Sequence, residues 1–170
     1  MDSRLERLRA GIAAATQGMT ESERARRRPG KWSVAEILEH LYLTYTGTIK
    51  GFQRCLEAGK PLATAPTLKQ RVKIAAVTRM GYLPSGAEAP PQARPRGIGP
   101  EKVQAEIAGQ IAAMDAIIAQ CEARFGRRSR LLNHLLLGPL TGKQWRQFHW
   151  VHGRHHLKQI ALLRDEPGKM

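Results

Sequence analysis

The chain has 170 residues, 42% of them apolar, and a formal charge of +14 from 28 Lys and Arg against 14 Asp and Glu. That length builds one domain with a real core rather than two, and no run of about 18 apolar residues is present to span a membrane. The charged start MDSRLERLRAG lacks the apolar stretch of a secretory signal, and Cys55 and Cys121 give no disulfide framework, so a reduced, cytoplasmic setting is expected.

Helical periodicity runs through almost the whole chain. Leu5, Leu8, Ile12, Ala15 and Met19 share one face over residues 3–18, and Ser3 with Glu6 has the spacing of a capping box. Thr20 and Glu23 then mark a helical turn, and Pro29-Gly30 closes that connector. Ser33 and Glu36 form a capping box ahead of a stripe of Val34, Ile37, Leu38, Leu41, Tyr45 and Phe52. This predicts a second long helix to about Ala58, stopped by Gly59 and Pro61, with His40 at one edge of the stripe.

Thr67 to about Met80 reads as a short basic helix, followed by a proline- and glycine-rich loop over residues 81–100. A loop of that length crosses the molecule or covers a site. Pro100 opens a third long helix whose stripe is Val103, Ile107, Ile111, Met114, Ile118 and Cys121. RRSRLLNHLLLGPL reads as a connector with some helical content. Thr141 with Gln144 offers another capping box, and a fourth long helix runs to about Arg164, ahead of Pro167-Gly168. The expectation is an all-α domain over residues 1–170: a four-helix bundle with a long crossover between the second and third long helices.

Four of the six histidines lie in FHWVHGRHHLKQI, residues 148–160. The interruptions and the apolar stretch that follows exclude a purification tag. At 100° per residue, His152 and His156 fall in the same arc as Trp145 and Leu163, facing the core and one turn apart. His149 lies about 20° beyond His156 and remains an alternative ligand if the helix phase differs, while His155 points off to the other side. Two stacked, core-facing imidazoles can converge on one metal ion or be hydrogen-bonded core residues. His40 is the candidate third ligand, because bundle metal sites draw ligands from facing helices. Three histidines leave coordination positions open for water or substrate, a catalytic rather than structural arrangement.

GKWSVAEILEHL followed far downstream by H-x-x-H-H-x-x-Q resembles the DinB/YfiT-like superfamily through Trp32, Ser33, His40, His152, His156 and Gln159. LLGPLTGKQWRQF is similar to a DinB-related branch, although His134 is not followed by proline as in that branch. The resemblance implies a four-helix bundle and a divalent metal, zinc or nickel, on His40, His152 and His156. It also implies a low-molecular-weight thiol cofactor activated by the metal, as in thiol-dependent S-transferases and maleylpyruvate isomerase.

The weaker catalytic candidates are Glu36, one turn before His40 and equally placed to cap its helix, and Gln159, one turn beyond His156, which can bond substrate or water. Trp32 can wall the pocket or pack in the core, and Cys55 and Cys121 read as packing residues. The expected partner is a small, anionic molecule drawn by the positive charge, and bundles of this kind pair as homodimers. The basic clusters at 24–28, at Arg94 and Arg96, and at 127–130 also suit a non-catalytic module for nucleic acid or another polyanion, or an ordinary solvated surface. Aromatic residues are only 5% of the chain and no nucleic-acid-binding signature accompanies them, so sequence-specific binding to nucleic acid is not expected. A bundle retained without catalysis is the third reading.

Overall fold

A computed structural model describes residues 1–81 and 88–165, with the side chain of residue 165 left aside. The middle of the expected loop, residues 82–87, and the expected stop at Pro167-Gly168 lie outside the described residues. The described chain is mostly helical: α1 (Ser3–Thr16), α2 (Glu21–Ala25), α3 (Val34–Glu57), α4 (Leu68–Met80), α5 (Pro100–Phe125) and α6 (Gly142–Asp165), with one 3-10 turn at Pro91–Ala93. No helix among the described residues is long and apolar enough to cross a membrane.

Local chemistry sets most helix starts. Reciprocal side-chain caps are formed by Thr20 with Glu23, Ser33 with Glu36 and Thr67 with Gln70. Thr141 and Gln144 exchange the same pair of bonds before α6. The box expected at Ser3 and Glu6 is not made. Asp2 is the cap instead, accepting from the Arg4 amide, while its own amide donates to Asp115. A carboxylate one residue earlier wins because it satisfies a free first-turn donor, and α1 stops at Thr16 rather than 18.

The segment expected as a partly helical connector is a β-hairpin, β1 (Arg130–His134) and β2 (Gly138–Thr141), antiparallel with a register shift between Arg130 and Leu132. Three features override the helical propensity of its leucines. Gly138 adopts φ 84°, which favours glycine; Pro139 cannot donate a helical bond; and His134 Nδ1 accepts the Leu136 and Leu137 amides to close the turn. The hairpin inserts Leu131 and Leu140 fully into the core.

The long helices pack as matched pairs. Tyr42 meets Glu106 and Phe52 meets Cys121, so α3 and α5 run in the same direction. Leu8 lies over Gly153 and Leu157 over Gly11, so α1 and α6 also run together. His40 with His152, Thr48 with His149 and Phe52 with Trp145 set α3 antiparallel to α6. Buried Arg146 of α6 donates to Asp115 (2.5 Å) and Glu122 (2.8 Å) of α5. Every residue from Ile37 to Leu43 is buried: α5 and α6 cover two sides of α3, and the segment after α4 lies against it at the 3-10 turn.

Candidate metal centre

The site is built where α3 and α6 cross. His40 comes from the second turn of α3, and His152 and His156 stand one turn apart on α6. Their ligand atoms lie within 4.8 Å of one another and all three residues are buried. His152 Nε2 is 3.1 Å from both His40 Nε2 and His156 Nε2. Nitrogens bound 2.0–2.1 Å from one tetrahedral ion stand about 3.3 Å apart, so the two pairs that share His152 need only a few tenths of an ångström of adjustment.

The outer partners fix how the rings are protonated. His40 Nδ1 is 2.7 Å from the Ala93 carbonyl oxygen, and His156 Nδ1 is 2.7 Å from Gln159 Oε1. Both oxygens only accept, so both Nδ1 atoms carry the proton and both Nε2 atoms present lone pairs to the centre. Outer-shell acceptors orient metal-bound histidines in the same way. His152 has no such partner, and its Nδ1 is buried without a hydrogen bond. With one ring proton it cannot satisfy both neighbours and itself. Two buried nitrogens therefore go unpaired in the metal-free protein, and an unpaired buried polar group costs about 1–3 kcal/mol. A divalent ion takes up all three Nε2 lone pairs, so the donor set fits one.

Burial holds the rings neutral. It pushes the pKa of His40 below its usual value, that of His156 to about 3 and that of His152 well below the usual imidazole range, with repulsion among the three rings adding to the effect on His152 and His156. Neutral imidazole is the metal-binding form. Phe148 stacks on His152 at 5.3 Å, and half-buried Trp32 tilts over His40 at 5.1 Å. A 520 Å³ cavity between α3 and α5 is lined by Ile49, Leu56, Ala113 and Ile117, and a 290 Å³ cavity near the end of α6 by Arg26, Arg28 and Arg164. Neither reaches the three histidines.

The other candidates have defined places. Glu36 caps α3 through Ser33 and pairs with Arg27, which occupies its carboxylate. Gln159 gives its oxygen to His156 and its amide nitrogen to His155, so both of its polar ends are engaged by histidines. His149 is fully buried but outside the cluster: its Nε2 donates to Thr48 Oγ1, whose own proton goes to Thr44 O, and its ring stacks on Trp145. Cys55 and Cys121 are buried free thiols bonded to backbone carbonyls. Two contributors carry no strong sequence signal: the Ala93 carbonyl, and Glu39, which lies off the apolar stripe of α3 and is buried by the segment laid over it.

The fold and site define a helical protein with a buried three-histidine cluster. The chain belongs to the family described as protein of unknown function (DUF1569), whose model matches residues 4–162. No curated protein and no solved structure matches it significantly.

Proposed function

We propose that this chain is a DinB/YfiT-like metalloprotein in which α1, α3, α5 and α6 form a four-helix bundle, the segment from α3 to α5 is its crossover, and His40, His152 and His156 hold zinc or nickel. The observation that carries this reading is the convergence of three Nε2 atoms, two of them aimed by Ala93 and Gln159. A divalent ion in a three-histidine site keeps a position open and lowers the pKa of a thiol or water bound there.

The reaction class that follows is thiol-dependent group transfer to a small anionic substrate, with a low-molecular-weight thiol as cofactor. The chain's own residues supply the setting. Phe148 and Trp32 exclude water from the rings, Gln159 holds the His156 proton, and the net charge of +14 draws anions. That charge also favours a second reading, a non-catalytic polyanion-binding module.

The test is metal analysis of protein purified without a nickel column, paired with cobalt substitution. One ion per chain, lost in the His152→Ala, His156→Ala double variant, supports the site, and a thiolate-to-cobalt absorption band on adding a small thiol supports the chemistry. No ion and no shift in melting with added zinc or nickel removes the metal reading. DNA binding that weakens steeply with salt, in protein indifferent to chelators, favours the alternative.

A further inference from the structure

Glu39 sits next to His40 on α3, about 100° around the helix, and is 4% exposed. Its carboxylate accepts three backbone amides: Arg96 at 2.7 Å, Gly97 at 3.2 Å and Ile98 at 3.0 Å. Gly97 has φ 87°, a conformation that favours glycine and helps turn consecutive amides toward one anion. Three residues before this clamp, the Ala93 carbonyl takes the His40 Nδ1 proton. Two consecutive side chains of α3 therefore grip one short stretch of backbone.

The turn's other hydrogen bonds are internal to it. Ala93 and Arg94 amides donate to Pro90 and Pro91, and the Arg94 guanidinium to Ala89 and Glu88. They shape the turn but do not attach it to the helix. Among the described residues, the hydrogen bonds that join residues 88–98 to α3 are those of Glu39 and His40.

We propose that Glu39 is a positioning residue for the three-histidine centre. By clamping residues 96–98 it holds the Ala93 carbonyl where His40 must place its proton on Nδ1, which keeps the His40 Nε2 lone pair aimed at His152 and His156. This rests on the metal reading of the cluster, and its role is indirect: Glu39 itself touches none of the three rings.

The experiment measures zinc affinity by chelator competition in wild type, Glu39→Gln and Gly97→Ala, each with and without His40→Ala, and reads the His40 tautomer of metal-free protein by 15N NMR. Glu39→Gln is expected to weaken zinc binding about 10- to 100-fold with helical content unchanged. In the His40→Ala background the same change is expected to shift the residual affinity by less than about twofold, because the effect passes through His40. Gly97→Ala strains the clamp from the other side and weakens zinc binding in the same sense, which serves if the Gln variant does not fold. Unaltered affinity in folded Glu39→Gln, or an equal loss without His40, overturns the proposal. Wild type that binds no zinc refutes the metal reading. In that case the tautomer still decides the linkage: a His40 ring that keeps its Nδ1 proton in Glu39→Gln as fully as in wild type overturns it.

Discussion

Replacing His152 by leucine separates a metal ligand from a core residue, because the two roles predict opposite changes in the metal-free protein. His40 and His156 commit their Nδ1 protons to Ala93 and Gln159, so both Nε2 atoms are acceptors. The single ring proton of His152 can serve one of them, leaving the other acceptor and its own Nδ1 bare: two unpaired nitrogens. In His152→Leu both Nε2 acceptors are bare, so the count stays at two, while an imidazole gives way to an aliphatic side chain of similar size. Burying leucine contributes about 1.5–3 kcal/mol, less the packing lost against Phe148. The expected change in metal-free stability lies between zero and about +2 kcal/mol, or a rise of up to about 8 °C in melting temperature for a chain of this length. A fully hydrogen-bonded core histidine would lose about 1–3 kcal/mol on the same substitution. The assay is thermal unfolding near neutral pH, first with chelator and then with zinc. Wild type at a hundredfold excess of zinc over Kd gains about 2.7 kcal/mol, and the variant gains far less. A marked loss of stability in chelator, or equal zinc responses of the two proteins, would refute the reasoning.

Other consequences follow from the same contacts. Gln159→Ala takes the acceptor from His156 Nδ1 and is expected to weaken zinc binding about tenfold or more in chelator competition, whereas Glu36→Gln, whose carboxylate serves the cap and Arg27, leaves it unchanged. Burial lowers the folded-state pKa of His134 to about 4 and of His149 and His156 to about 3. The unfolded chain therefore binds more protons, so this part of the stability is fully present above about pH 6.5 and is lost as pH falls, by about 1.4 kcal/mol per pH unit for each histidine. Urea midpoints of metal-free protein should drop steeply below that pH, and a flat profile down to pH 5 would contradict the buried, neutral assignment. Asp115→Ala leaves Arg146 paired with Glu122 alone and removes the acceptor of the Asp2 amide. It is expected to cost about 3–5 kcal/mol in urea unfolding without altering zinc affinity.

What the sequence made legible was local. A capping pair such as Ser33 with Glu36 involves atoms three residues apart, so spacing alone reveals it, and the same holds for the phase that turns His152 and His156 inward. Pro100 at the start of α5 and the basic helix after Thr67 were readable for the same reason. The hairpin at 130–141 was not, because its cause is tertiary: Leu131 and Leu140 are taken into the core, and His134 closes the turn with its ring. Nor was the cap of α1, where Asp2 also answers to Asp115, distant in the chain. The separate place of His149 depends on Thr48 across the helix interface. Glu39 lies off the apolar stripe of α3, and only the segment returning over α3 buries it and supplies its three donors. The three histidines of the cluster were readable, and the groups that aim their rings were not.

The most direct test of the central claim is a crystal of protein loaded with one equivalent of zinc, with anomalous diffraction collected on both sides of the zinc edge. The account predicts a single strong peak between α3 and α6, about 2.0–2.1 Å from the Nε2 atoms of His40, His152 and His156, with a non-protein ligand completing the shell. Zinc bound elsewhere, or three histidine rings bonded only to one another in fully loaded protein, would contradict it.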